Sequence, residues 1–137
     1  GAASSTSPYF VRVYPLDTAP EHIPSTFAIG DTVSGESLDH NGDEDTFTFT
    51  ATAGQTINIS LDWQGTSSGD GNYVMLDLLV GGNDYGAVFD VDPGPGFRGP
   101  LTYTIPTTGS YALRAHWADY LHSEPPAPYR FVVTASP

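Results

Sequence analysis

The 137-residue chain contains no cysteine. This excludes a disulfide framework, a thiolate metal site and a thiol nucleophile together, so packing, strand pairing and a bound ion are left to hold it. Lysine is absent as well: the four basic residues are Arg12, Arg98, Arg114 and Arg130, set against sixteen carboxylates for a formal net charge of -12. Such a surface repels phosphate backbones and anionic lipid, which removes nucleic acid as a partner and leaves no basic face for a membrane-surface helix. The same charge attracts divalent cations. Long apolar runs are missing too; Met75 to Val80 is short and interrupted by Asp77, far below the roughly 20 residues that span a bilayer, so no membrane insertion is expected.

Catalytic equipment is equally scarce. No Gly-x-Ser-x-Gly elbow, phosphate-binding glycine loop with lysine, or cysteine–histidine pair occurs, which leaves covalent and phosphoryl-transfer mechanisms without residues. Asp90 and Asp92 are close in sequence, but glycoside hydrolysis needs an acid of raised pKa facing its partner across a cleft. His116 and His122 lack the helical His-Glu-x-x-His spacing of a zinc site, and His116 is expected to point outward from a strand. The reading is of a non-enzyme.

What the chain does have is punctuation. Fifteen glycines and twelve prolines recur with Thr, Ser, Asn and Asp between short apolar runs, the pattern of an all-β chain of one-domain length. Phe47 and Phe49 alternate with threonines over 45–51, and Ile57, Ile59, Leu61 and Trp63 alternate with polar residues after the turn Thr52-Ala53-Gly54-Gln55. The two runs are expected to form a hairpin with both apolar faces in one core. Val74, Leu76, Leu78 and Val80 repeat the alternation, and the apolar Met75 and Leu79 point to a central strand covered on both faces.

Leu101, Tyr103 and Ile105 lead through Pro106-Thr107-Thr108-Gly109-Ser110 into Tyr111, Leu113, Ala115 and Trp117, read as a second hairpin. Tyr129, Phe131 and Val133 close the chain, and Thr32 to Gly35 adds a further strand. The expected architecture is an antiparallel β-sandwich of about 7 to 8 strands, jelly-roll-like, formed by residues 23–137.

Residues 1–22 are read as an N-terminal strand and linker. Pro8-Tyr9-Phe10-Val11-Arg12-Val13 echoes Pro128-Tyr129-Arg130-Phe131-Val132-Val133. The first of these is either the last strand of a preceding copy in a tandem array or a strand that pairs with a neighbour, and coincidence is the bland alternative. Tyr9, Phe10, Val11, Val13 and Tyr14 are its candidate assembly residues. An apolar strand must be covered, by its own sandwich or by another copy through β-addition.

In Asp39-His40-Asn41-Gly42-Asp43-Glu44-Asp45 oxygen-bearing side chains recur at every second position, the spacing by which a tight loop turns ligands onto a hard cation such as calcium. It is no EF-hand: Glu44 stands where glycine is required and Thr50 where the bidentate glutamate belongs. Asp43 and Asp45 are the first candidate ligands, Asp39 and Asn41 the next, and an exposed acidic turn is the competing reading. Asp84, Asp90 and Asp92 form a second acidic group in a glycine-rich stretch, Asn83 to Pro100, read as a long loop that they keep solvated, with a further calcium site as the alternative. Among the aromatics, Trp63 and Trp117 fall in the core phase, which leaves Tyr73, Tyr85 and Tyr120 as candidates for a platform that stacks on sugar rings.

The segments Gly30-Asp31-Thr32-Val33-Ser34-Gly35, Gly42-Asp43-Glu44-Asp45-Thr46-Phe47 and Ala53-Gly54-Gln55-Thr56-Ile57, with Pro106-Thr107-Thr108-Gly109-Ser110-Tyr111-Ala112-Leu113, resemble the bacterial pre-peptidase C-terminal domain family from about Pro20 to Ala135. Gly42 to Phe47 carries its Gly-Asp-x-Asp-x-Phe signature. The resemblance implies a jelly-roll-like sandwich attached to secreted or cell-surface bacterial proteins, without catalysis of its own. It implies calcium in some members, and polysaccharide or matrix-protein binding in others. It also implies an acidic ligand from the linker, a role that falls here on Glu21. The expected partners are thus neighbouring copies or domains of the same surface protein, or such a polymer.

Overall fold

A computed structural model describes residues 18–39, 42–65, 73–90, 96–117 and 126–136. Each alternating run forms a strand, because a period of two places all its apolar side chains on one face of a pleated ribbon. Among the described residues eight strands occur in chain order: β1 (Thr32–Leu38), β2 (Glu44–Ala51), β3 (Thr56–Trp63), β4 (Val74–Val80), β5 (Asn83–Asp90), β6 (Arg98–Thr104), β7 (Gly109–Trp117) and β8 (Ala127–Ser136). They build two four-stranded antiparallel sheets, β1-β8-β3-β6 and β2-β7-β4-β5.

The core lies between the sheets. Ile57, Ile59 and Leu61 of β3 and Phe131 and Val133 of β8 face Phe47 of β2, Leu76 and Leu78 of β4, and Leu113 and Trp117 of β7, all fully buried. Rings interlock across the gap, Phe47 edge-on to Phe131 at 5.0 Å and Trp63 edge-on to Trp117 at 6.2 Å. Each such side chain contributes about 1.5–3 kcal/mol by leaving water, which is how a chain without disulfides sustains a fold.

Three expectations are corrected. The runs on either side of Thr52–Gln55 are not a hairpin, since β2 and β3 belong to different sheets, and the same holds for β6 and β7. Both connections arch from sheet to sheet and bind each other: the Gly54 N–H donates to the Ile105 carbonyl at 2.8 Å, and the Ile105 N–H to that of Gln55 at 2.8 Å. Two apolar faces thereby enter one core from opposite sides instead of side by side. Third, Asn83 to Pro100 is not all loop, because Asn83–Asp90 is β5, joined to β4 by Gly81-Gly82 with φ of 60° and 81°. A two-residue hairpin turn needs positive φ at both positions, and paired glycines supply it without steric cost.

β4 lies inside its sheet, between β7 and β5. Its outward Met75 and Leu79 are part-buried, and Asp77 between them is 5% exposed.

Candidate metal centre

Residues 18–27 run along the open edge of β2. The Thr46 N–H donates to the Thr18 carbonyl at 3.1 Å, the Thr48 N–H to that of Ser25 at 2.8 Å, and the Phe27 N–H to that of Thr48 at 3.1 Å. Phe27 anchors the segment with its ring 5.2 Å from both Phe49 and Phe131. The path brings Glu21 and His22 to the end of the sandwich where β2 begins.

Alternation from Val33 along β1 would place Gly35 and Ser37 inside. The ladder with β8 instead slips between Ser34 and Glu36, and Gly35 takes φ 94°. One extra residue resets the phase, so the buried positions become Val33, Glu36 and Leu38. The bulge is what aims Glu36 inward.

One carboxylate oxygen from each of Glu21, Asp43 and Asp45 lies within 4.8 Å of the other two, and Glu21, His22 and Glu36 form an adjoining group of the same tightness. Asp43 and Asp45 are 0% exposed and Glu36 1%. Oδ2 of Asp43 accepts the Asp39 N–H at 2.6 Å, and Oδ2 of Asp45 accepts the hydroxyl of Tyr129 from β8. Glu36 accepts from the His22 backbone N–H at 3.1 Å, contacts its Nδ1 at 2.6 Å and accepts the Ser37 N–H at 3.0 Å.

Electrostatics follow from this crowding. Burial pushes the Asp45 carboxyl up to about 8, and the negative neighbours Glu36, Asp43 and Glu21 act in the same direction, opposed by the Tyr129 hydroxyl. Burial, then the charge of Asp45, raises the Tyr129 phenol. The exposed His22 imidazole is raised chiefly by its bond to Glu36.

Does the donor set fit a cation? Carboxylate oxygens are hard ligands of the type calcium takes, and Oδ1 of Asp45 is buried without a hydrogen-bond partner. A buried acceptor left unsatisfied costs about 1–3 kcal/mol, and a cation among these oxygens would remove that cost along with the mutual repulsion. Glu21, Asp43 and Asp45 fit such an ion, and Glu36 stands beside them.

Of the sequence candidates, Glu21, Asp43 and Asp45 converge. Asp39 contributes its backbone N–H, while its carboxylate lies 3.4 Å from Nε2 of His22. Asn41 lies outside the described residues. Glu36, His22 and Tyr129 escaped the sequence reading; only the Gly35 bulge could have exposed Glu36.

The remaining candidates are dispersed. Tyr73 packs on Phe89, ring centroids 5.6 Å apart, and Tyr85 on Tyr103 at 4.3 Å. The first contact is on the outer face of β5 and the second on its core side, so the two tyrosines do not share one platform. Tyr120 and the strand Tyr9, Phe10, Val11, Val13 and Tyr14 lie outside the described residues, as does Asp92. Asp84 bonds Arg114 at 3.1 Å.

His116 does point outward. Its Nε2 lies 2.7 Å from Asp77 and its Nδ1 2.9 Å from the Trp117 carbonyl, two acceptors that both call for N–H donors.

With the geometry in place, the chain was compared with known proteins. The family model described as the bacterial pre-peptidase C-terminal domain matches residues 43–116, more than half of the chain. No curated protein matches in sequence. Among solved structures, the pre-peptidase C-terminal domain of collagenase from Bacillus anthracis is 17% identical, with a TM-score of 0.54 over 90% of this chain and 100% of that one. Aeromonas hydrophila PliG, a periplasmic inhibitor of g-type lysozyme, is 19% identical, with a TM-score of 0.53 over 82% of this chain and 96% of that one. At these identities the likeness is one of fold.

Proposed function

We propose, from the premise that the chain belongs to the bacterial pre-peptidase C-terminal domain family, that it is a calcium-stabilised, non-catalytic, extracellular module. In this reading it serves as a structural and assembly unit of a bacterial surface protein, with residues 1–22 as strand and linker before the sandwich domain. The observation that carries the proposal is the convergence of Glu21, Asp43 and Asp45, with Asp43 and Asp45 fully buried and Oδ1 of Asp45 unsatisfied. Glu21 comes from the edge segment, Asp45 from β2 and Asp43 from the position just before it, so an ion there clamps segment to sandwich. An extracellular setting suits calcium, and the PliG protein of the same fold is periplasmic.

The reading as non-catalytic follows the family and the lack of a nucleophile elbow, a phosphate loop or a cysteine–histidine pair in the sequence.

A second reading, a carbohydrate- or matrix-binding module attached to a secreted hydrolase, rests on the exposed ring of Tyr85, the one tyrosine candidate that is more than half exposed among the described residues. Retention on insoluble chitin, cellulose or collagen tests it, and failure on all three removes it.

Calcium itself is tested by thermal unfolding with the ion and with chelator. An ion that binds only the native state raises stability by about 2.7 kcal/mol at a hundredfold excess over its dissociation constant. A rise in the midpoint that Asp43→Ala abolishes supports the clamp. Equal midpoints in both media reduce the cluster to an acidic turn.

A further inference from the structure

Sandwich sheets expose four strand edges, and here they differ. The edge of β2 is occupied by residues 18–27. The edge strand β1 is broken by its bulge at Gly35, and β6 contains Pro100, which has no N–H for a further ladder. β5 is the exception. Among the described residues its one hydrogen-bonded neighbour is β4, and from Gly86 to Asp90 their ladder is regular.

Two of the exposed large apolar side chains of the described residues belong to β5, Tyr85 at 56% and Phe89 at 53%, whereas Phe97 stacks on the Arg130 guanidinium of β8. A groove of ≈ 220 Å³ between β5 and β6 is lined by Ala87, Val88, Phe89, Gly99, Pro100 and Leu101. Phe89 lies on the outer face with Asp84, whereas Tyr85 lies on the core side against Tyr103. Rings on opposite faces make a poor platform for a sugar chain. They do suit an added strand, whose alternate side chains fall on both faces.

We propose that the edge of β5, with this groove, is the acceptor for residues 9–14 of a second copy of the chain, added as a further strand. This rests on the reading of the module as an assembly unit. The segment alternates Tyr9, Val11 and Val13 with Phe10, Arg12 and Tyr14, so one face is apolar and the other sets an arginine between two aromatics. Residues 1–16 hold Arg12 and no carboxylate, which leaves a net charge of -13 on the rest of the chain, so the donor segment and the acceptor differ in overall charge sign.

Reach makes the contact intermolecular. Thr18 sits outside β2, at the far edge of the same sheet, so a strand beside β5 lies five spacings away, about 24 Å at ~4.8 Å each. Four residue steps from Thr18 to Tyr14 extend roughly 14 Å at most. A donor at one edge and an acceptor at the other form a heterologous contact, which propagates as an open chain of copies.

The test is sedimentation of the full chain across a concentration series, beside Val11→Pro, which spoils the donor, and Phe89→Asp, which spoils the acceptor at an exposed position. The wild type is expected to show a weight-average mass that at least doubles with concentration, and each variant alone to remain monomeric. Mixing the two variants should restore a heterodimer, because each keeps the half the other lacks. A synthetic peptide of residues 7–16 should cap wild-type growth. Assembly that survives Phe89→Asp overturns this acceptor while leaving the assembly reading intact. A wild type that is monomeric throughout overturns both, and retention of that monomer on an insoluble glycan through Tyr85 and Phe89 gives the groove to carbohydrate. The calcium-dependent rise in midpoint, measured on both variants, confirms that each is folded and is read separately from assembly.

Discussion

Tyr129 of β8 donates its hydroxyl hydrogen to Asp45 of β2, a bond between residues 84 positions apart that ties one sheet to the other at the acidic end. Both partners are buried, so the bond cannot be replaced by water. Without it, both oxygens of Asp45 would depend on whatever cation is present.

Tyr129→Phe is therefore expected to destabilise the protein by about 1–3 kcal/mol in chelator, the usual cost of a buried acceptor losing its donor. Saturating calcium should reduce the loss, because the ion satisfies the same carboxylate. Urea midpoints in the two media measure the difference; equal losses would show that Asp45 and the ion do not communicate.

Glu36→Gln keeps the shape of the side chain and removes one charge from a buried acidic cluster. Its two oxygens accept the His22 and Ser37 backbone N–H groups, so an amide must turn its NH2 toward one of these donors, at a cost of about 1–3 kcal/mol. Relief of repulsion offsets part of this without metal, so the loss should be smaller in chelator than in saturating calcium, where wild type keeps a charge beside the ion and the variant does not. Melting midpoints of both proteins in the two media measure the difference, and an equal loss in both would show that the Glu36 charge does not act on the ion.

Strand existence was legible because Phe47/Phe49, Ile57/Ile59/Leu61 and Tyr129/Phe131/Val133 alternate without interruption, and burial on one face demands that pattern. Pairing was not, because alternation says which face is buried and nothing about the sheet in which a strand lies; a turn such as Thr52–Gln55 serves a hairpin or an arch equally. β5 was obscured by its composition. Gly86, Asp84 and Asp90 look like loop residues, although Gly81-Gly82 is itself a hairpin signal. At the site, Asp43 and Asp45 were visible as neighbours in sequence, and Glu21 through the family resemblance. Glu36 and Tyr129 reach them only through tertiary pairing, which no local spacing encodes.

Gly35→Ala tests the bulge. At φ 94° a side chain is strained whatever the space, and the added Cβ would meet Cγ2 of Ile23 at an ordinary 3.7 Å, so the cost is conformational. A loss of ~1–2 kcal/mol is expected. Because the bulge also aims Glu36, the calcium-induced rise should fall as well, which a purely steric defect elsewhere in the strand would leave alone. Denaturant melts with and without calcium decide between these.

The pH dependence of stability should report the outward pair Asp77 and His116. Burial alone would raise the Asp77 carboxyl, but hydrogen bonds from His116 and Arg114 outweigh it and hold the group below the ordinary range. Burial alone would lower His116, and the bond to Asp77 outweighs that too, so the imidazole is raised. The signs differ. Asp77 contributes stability above the ordinary carboxylate value of about 3.9, lost as pH falls through its lowered folded value. His116 contributes fully below about 6.5, and its share is lost as pH rises through its raised folded value. Between these limits both act. His116→Gln keeps a donor toward Asp77 but removes the titration, so wild type should exceed the variant by ~1–2 kcal/mol on the acid side of neutrality. That advantage should fade as pH rises through the raised folded value of His116 and the imidazole becomes neutral. Melting curves of both proteins across this window test the pair, and an offset that stays constant over the whole range would show that His116 does not titrate there.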